Sequence, residues 1–490
     1  LRVEPTDGGL APAAELFESR VLAERGRWEP SPVEREQARE LCRRLDGMPL
    51  AIELAAARAR TMSVAEILER LDARFKLLTG GRRSSADRHK TLRATVDWSY
   101  QLLSPAAQTV FDRISVFSGR FGLRDAVAIC EDAVLDELDV LDALADLVDK
   151  SMVDTQTELT GSEYRLLETM RAFGAEKIEV RAETTEIRSR HAAHYGALAT
   201  ELQGELIGPH ELEVRRRAEL AAADLRAALD WAAVNEDELT VRAMCSSLVW
   251  FCFCGWLEPM RWIQALRDTD SANAAGIAEI VAFTDTVLEG DPVLAESRLP
   301  QRDDPLDLEY LGLFTMAVCA ILAGEPERGR APAEKMLAIG TTSHQASERA
   351  FAAYGLASVK AIVGELDAEL ASAFLTAAQT EGSRTAQSYA LSTAARMFMD
   401  ADEDKAIQMM EEACDIARSV SSGDALGNAL LILLSPMIDR LSLDDAADQT
   451  ASTLEQMREL GNVAVQRSAL GLAQVVLQRR HQLDLAALVS

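Results

Sequence analysis

Long apolar runs are missing from this chain. No stretch approaches the ~20 consecutive apolar residues that a bilayer core requires, so no membrane span is expected. Cysteine is sparse. Cys42, Cys130, Cys245, Cys252, Cys254, Cys319 and Cys414 are an odd, scattered set in 490 residues. They form no disulfide framework and fit a reducing cytoplasm. Positive charge is also short: 51 Lys and Arg against 79 Asp and Glu leave a net −28. Phosphate contacts need a basic surface, so the chain as a whole is not expected to bind nucleic acid non-specifically, although a local basic patch stays open. Lysine supplies only seven of the 51 cations, a balance that fits a high-GC genome. A secretory signal is absent too, since Leu1 to Gly9 is acidic and Gly-containing with no apolar core. The first residue is Leu rather than Met, and the chain is expected to be a piece of something longer.

What is present is globular composition, 48% apolar, in a length that suits roughly three domains of about 150 residues. Helical periodicity dominates. Ala11 to Glu24 repeats apolar residues at helical spacing, and Ser31-Pro32-Val33-Glu34 reads as a helix start with Ser as N-cap. That helix runs to Leu45, a second spans Leu50 to Arg60, and Ser63-Val64-Ala65-Glu66 is a capping box before a third. These helices make up a first section, 1–85. A middle section, 86–184, holds an apolar periodic run from Thr109 to Val116 and an amphipathic helix over Val140 to Leu147. Two short runs, Ser151 to Asp154 and Tyr164 to Leu167, flank a polar stretch with Gly161 and read as a β-hairpin. Helices followed by a hairpin predict a winged helix. In the last section, 185–490, turn-like anchors recur at Gly255, Gly290, Gly324, Gly364, Asp400 and Leu443, spaced by 35, 34, 40, 36 and 43 residues. Paired helices at such spacing predict a tetratricopeptide-like α-solenoid, with an irregular helical bundle as the alternative. The expected fold class is therefore mainly α.

The sharpest local feature is Asp46-Gly47-Met48-Pro49-Leu50, where Gly ends one helix and Pro pre-sets the start of the next. A Pro ring there can pack on a flat ligand, or the joint can be an ordinary turn. The stretch from Leu41 to Arg58 resembles the G-x-P-L region of the NB-ARC nucleotide-binding module of STAND-class signalling ATPases, in particular the actinobacterial LuxR-type and AfsR-like regulators. Arg74 to Gly80, Thr91 to Tyr100, Ser115 to Gly119, Tyr164 to Arg171 and Asp224 to Trp231 continue the resemblance in the same order. It implies that Pro49 contacts the adenine of ATP or ADP, with Gly47 and Leu50 shaping the joint. It also implies an upstream nucleotide-binding half, a signal (protein or small molecule) received by the repeats, and DNA contact only through a separate domain.

Two departures from that family matter. A phosphate loop needs G-x-x-x-x-G-K-[ST], yet Lys precedes Ser or Thr only at Lys90-Thr91 and Lys150-Ser151, without the glycines. This chain is therefore expected not to be an enzyme and to hold no nucleotide tightly by itself. Where relatives carry Met-His-Asp, this chain reads Leu166-Leu167-Glu168, without the phosphate-sensing His. The Asp72 to Arg93 stretch has seven basic residues against Asp72 and Asp87, a phosphate- or DNA-facing patch or else a solvated linker. His191 and His194 are spaced for one metal, but no third ligand is near in sequence, and a surface or partly buried pair is the other reading. No G-x-S-x-G elbow occurs. The sequence leads to the sensor part of a nucleotide-switched, cytoplasmic regulator of transcription, with no membrane contact. A nucleotide-independent scaffold and a winged-helix DNA-binding regulator are the alternatives.

Overall fold

The computed structural model describes residues 12–25, 27–45, 49–75, 93, 95–158, 161–253, 258–266, 308–322, 325–365, 367–399, 401–420, 422, 425–430, 445, 448 and 450–455. It divides into two compact units, Leu1–His194 and Tyr195–Ser490.

In the first unit, α1 (Pro12–Arg25), α2 (Pro32–Arg44), α3 (Pro49–Arg58) and α4 (Val64–Phe75) enclose a core of Phe17, Val21, Leu41, Leu45, Ile52 and Ile67, closed by Trp98. Local chemistry sets their ends. The Ser31 hydroxyl accepts from the Glu34 N–H at 3.3 Å while the Glu34 carboxylate accepts from the Ser31 N–H at 2.8 Å. Ser63 and Glu66 repeat this reciprocal cap at the start of α4. Residues 95–101 are helical as well and lead into α5 (Pro105–Ile114), whose N-cap is Ser104.

Then come β1 (Phe121–Gly122), α6 (Leu123–Cys130), α7 (Glu137–Asp149), β2 (Asp154–Glu158), β3 (Gly161–Arg165) and α8 (Glu168–Val180). The strands form one antiparallel sheet in the order β1-β3-β2, with Phe121 opposite Tyr164 and Gln156 opposite Glu163. This hairpin differs from the sequence expectation in place. Its strands are the polar stretch itself, and Gly161 opens β3 instead of sitting in the turn. The apolar residues Met152, Val153 and Leu166 are buried just outside the strands, so periodicity located the core anchors and missed the exposed ladder between them.

In the second unit, α9 (Thr184–Leu206, of which 195–206 belong here), α10 (Glu211–Leu220), α11 (Ala222–Val234), α12 (Glu238–Phe253) and α13 (Glu258–Ala265) precede the repeats. These are α14 (Leu308–Leu322), α15 (Pro326–Gly340), α16 (Ala346–Phe351), α17 (Tyr354–Val363), α18 (Ala368–Glu381), α19 (Arg384–Phe398) and α20 (Glu403–Ser419). α14 packs on α15, α15 on α17, α16 on α18, α17 on α19, α18 on α19 and α19 on α20, as in a tetratricopeptide-like solenoid. Two of these helices, α16 and α19, start at Ala346 and Arg384, 38 residues apart. Of the sequence anchors, Gly364 is seen in a left-handed C-cap (φ 79°) after α17. Gly255, Gly290, Gly324, Asp400 and Leu443 lie outside the described residues. Aromatic rings concentrate at the centre of the stack: Trp250, Phe314, Phe351, Tyr354, Phe374 and Tyr389 lie 5.2–6.3 Å from one another in successive pairs.

Candidate functional site

α3 begins at Pro49, where the fixed φ of proline suits the first helical turn. Pro49 is exposed, so its ring face is free for a flat partner. Gly47 lies outside the described residues, and Leu50 is in α3 with its side chain undescribed. The rest of the helix is anchored. Ile52, Ala55 and Ala56 are buried, and Arg20 of α1 donates to Glu53 at 2.8 Å. Of the three residues that the resemblance assigns to a base, Pro49 is the one whose side chain the structure describes.

At its other end, ~15 Å away by helical rise, α3 meets the middle section. Arg58 is buried at 5% exposure, and its guanidinium lies 3.5 Å from the Ser99 carbonyl. Its Nε has no hydrogen-bond partner among the described residues. Burial pulls its pKa down to about 10, against the opposing pull of Asp146 on α7. Asp146 itself is held by Lys150, and Arg60 pairs with Asp149 at 2.8 Å. One ten-residue helix therefore carries the exposed proline at one end and an under-satisfied buried cation, beside the Ser99 carbonyl, at the other.

The middle section is fixed by two aromatic groups. Phe117 and Phe121 stack at 4.1 Å, and Phe121 continues onto Tyr164 at 5.9 Å. Phe111, Phe173 and Tyr100 form the second group, roofed by the Lys177 ammonium 4.7 Å from the Phe173 ring. Beneath it lies Asp112, fully buried, accepting from the Tyr100 hydroxyl at 2.8 Å and from Arg181 at 2.5 Å. Burial raises its pKa to about 6 despite both donors. Arg113 ties α5 to the end of α6 and to the residue before α9, donating to the Cys130 carbonyl at 2.7 Å and to Glu183 at 2.9 Å.

The histidines separate in role. His191 is buried, edge-on to Phe117 at 5.7 Å, and His194 bonds Asp125 at 2.8 Å. Among the described residues, no group of three metal-binding side chains exists. Burial pushes the Cys42, Cys130 and Cys245 thiols up to about 12, which makes them inert packing groups. Of the basic stretch, residues 76–92 lie outside the described residues; Arg93 is paired with Glu176.

The order helix, strand, two helices and antiparallel hairpin, with the first strand against the last, identifies the middle section. Residues 103–179 form a winged helix. They match the family model of the winged helix-turn-helix domain. α7 then occupies the recognition position, which in DNA-binding members enters the major groove. Its exposed residues here are Glu137, Leu138, Asp139, Leu141, Asp142, Ala145 and Asp149, with Asp136 as N-cap. α7 contains five acids and no base, and the segment from Glu137 to Arg165 adds Asp154, Glu158 and Glu163 against only Lys150 and Arg165.

Among curated proteins, the chain is 39% identical over 244 residues to a candidate HTH-type transcriptional regulator of Mycobacterium tuberculosis, covering 49% of this chain and 27% of that protein. Its counterpart in Mycobacterium bovis matches to the same extent. An uncharacterized protein of Mycobacterium tuberculosis is 38% identical over 183 residues, 37% of this chain and 47% of that one. The chain thus spans less than half the length of these relatives. Among solved structures, a Signal Transduction ATPase with Numerous Domains (STAND) protein with a tetratricopeptide repeat sensor from Pyrococcus horikoshii aligns over 94% of this chain and 62% of that one. The TM-score is 0.47 at 12% identity, a likeness too low to carry an argument.

Proposed function

We propose that this chain is the regulatory and sensor part of a STAND-type signal-transduction protein that controls transcription. In this reading the helical repeats take up the signal, and the winged helix is a switch element that contacts protein. The first helices hold the adenine of ATP or ADP on Pro49, and DNA is reached through a separate domain. The observation that carries this reading is the sign of α7. A helix entering the major groove is flanked by phosphates on both sides, and five carboxylates at that place oppose docking. The similarity of part of the chain to a portion of a longer transcriptional regulator supports the regulatory role. Coupling between signal and nucleotide requires that each favour one arrangement of the same parts. α3, with Pro49 at one end and Arg58 against the Ser99 carbonyl of the middle section at the other, is the element suited to transmit it.

Two measurements test this. Titration of the full chain with duplex DNA over a range of salt should show no salt-dependent binding; a steep decline of affinity with salt would favour the DNA-binding reading. In the longer protein that includes the upstream half, Pro49→Ala should weaken ADP affinity roughly tenfold, ~1.4 kcal/mol. Unchanged affinity would leave the repeats as a nucleotide-independent scaffold.

A further inference from the structure

α7 carries more apolar surface than its packing uses. Val140, Ala143, Leu144 and Leu147 are buried, at i, i+3, i+4 and i+7, and this stripe seats the helix on α5 and α6. One such stripe is enough to join a core. A second row, Leu138, Leu141, Ala145 and Val148, runs at i, i+3, i+7 and i+10, about 120° round the helix. Leu138 is 68% exposed, Leu141 37%, and Ala145 is exposed too. Val134, four residues before the row, is 83% exposed. Three of the thirteen exposed large apolar side chains among the described residues thus fall between residues 134 and 141, while the others stand singly or in pairs. A lone exposed leucine needs no explanation, but a row of them does.

The rim of this row is charged with one sign. Glu137 and Asp142 stand on its two sides, both exposed, and Asp136 and Asp139 close its N-terminal end. Asp136 and Asp139 cap the helix reciprocally, each with one oxygen, and each keeps the other oxygen for a further donor. Among the described residues none of these four carboxylates has a cation in ion-pair reach. The acids of the last turns differ: Asp146 is held by Lys150, and Asp149 by Arg60 at 2.8 Å. The helix dipole accounts for acids in the first turn, but it gives no reason for Asp142 or for leucines in water. An apolar row with unneutralised carboxylates along it complements an apolar stripe with cations along it.

We propose that this face of α7 docks a basic amphipathic helix of a partner protein, with the partner's apolar stripe on Leu138, Leu141 and Ala145 and its cations against Glu137 and Asp142. The row is ~15 Å long by helical rise, which matches about three turns of a partner helix. Free carboxylates lie only in the first half of α7, so the partner's arginines or lysines belong there. An antiparallel helix brings its last turn to that place, where its own dipole already favours cations. The proposal rests on the reading of the winged helix as a protein-contacting element and names the chemistry of what it contacts.

The probe is a fluorescent designed helix of about 14 residues, with leucines on one stripe and arginines in its last two turns. Its control has the same composition with the leucines moved off the stripe. The full chain at about 0.1 M salt should bind the probe at least about tenfold more tightly than the control. Leu138→Ser with Leu141→Ser should weaken probe binding about tenfold and leave the control unchanged. Glu137→Gln with Asp142→Asn, which spares the capping pair, should weaken it about fivefold and flatten its salt dependence. Equal binding of probe and control would reduce the effect to the overall negative charge and overturn the proposal. So would probe binding that survives the leucine changes, or leucine variants that fail to fold, which would place those side chains in the core. Dimerisation of the native chain that the leucine changes abolish would assign the face to a second copy. Tighter probe binding after Arg82→Ser, Arg83→Ser and Arg88→Ser would assign it to the chain's own basic stretch. Either result overturns the claim of a separate partner. Salt-dependent binding of duplex DNA would remove the protein-contact reading itself, whereas failure of both probe and DNA to bind would remove this proposal alone.

Discussion

At Glu211 the loss of water outweighs three hydrogen-bond donors. Burial raises its pKa to about 7, opposed by Ser383, Thr385 and the nearby Arg215 charge. The sign of the consequence comes from proton binding. Between 4.5, the carboxylate's ordinary value, and about 7, the folded chain retains a proton that the unfolded chain has lost. The stability tied to this proton is complete below pH 4.5 and disappears as pH rises through about 7. Glu211→Gln, which cannot ionise, should therefore flatten the stability profile across this window. The difference from native should grow to on the order of 3 kcal/mol between about pH 5 and 8 in urea titrations. Parallel profiles would mean that the carboxylate is ionised and satisfied throughout. Asp112 shifts in the same direction but is present in both chains, so it cancels in the comparison.

Among the elements, the helix starts are legible in the sequence and the small sheet is not. Ser31 and Ser63 announce their caps because capping joins residues three apart, a range that sequence reading covers. β1 gives no such signal. It is two residues long, and Phe121 is held there by Phe117 and by Tyr164, 43 residues later. The existence of the hairpin is legible but the place of its strands is not, because Asp154 to Glu158 and Gly161 to Arg165 expose polar residues and lack a clear apolar alternation. Removing the ring that joins helix and sheet should be costly. Phe121→Ala is expected to destabilise the winged helix by about 3–5 kcal/mol, read as an earlier urea transition. A loss below about 1 kcal/mol would mean that the ring is not part of a packed core.

For the molecule as a whole, the excess of carboxylates is a standing repulsion. A net −28 raises the energy of any compact state, and salt screens it over a Debye length of ~10 Å at about 0.1 M. The thermal midpoint should rise as sodium chloride increases from about 10 mM to about 300 mM, whereas an uncharged osmolyte at matched activity should not reproduce the same curve. A falling midpoint would show that the many surface ion pairs, such as Arg330 with Glu327 and Glu365, contribute more than the general repulsion costs.

The sequence by itself determined the helical class, the helix starts, the absence of a membrane-length apolar run and the acidic sign of α7, because each is set by composition or by neighbours a few residues apart. It also singled out Pro49, though only through likeness to a family. Only the tertiary structure decided that His191 and His194 serve different neighbours, that Arg58 is buried against the Ser99 carbonyl, and that Glu211 is buried at the cap of a helix more than 170 residues away. The physical reason is the same in all three cases. A buried charge takes its meaning from the groups that replace its water, and those groups are supplied by distant parts of the chain that meet only when the helices pack.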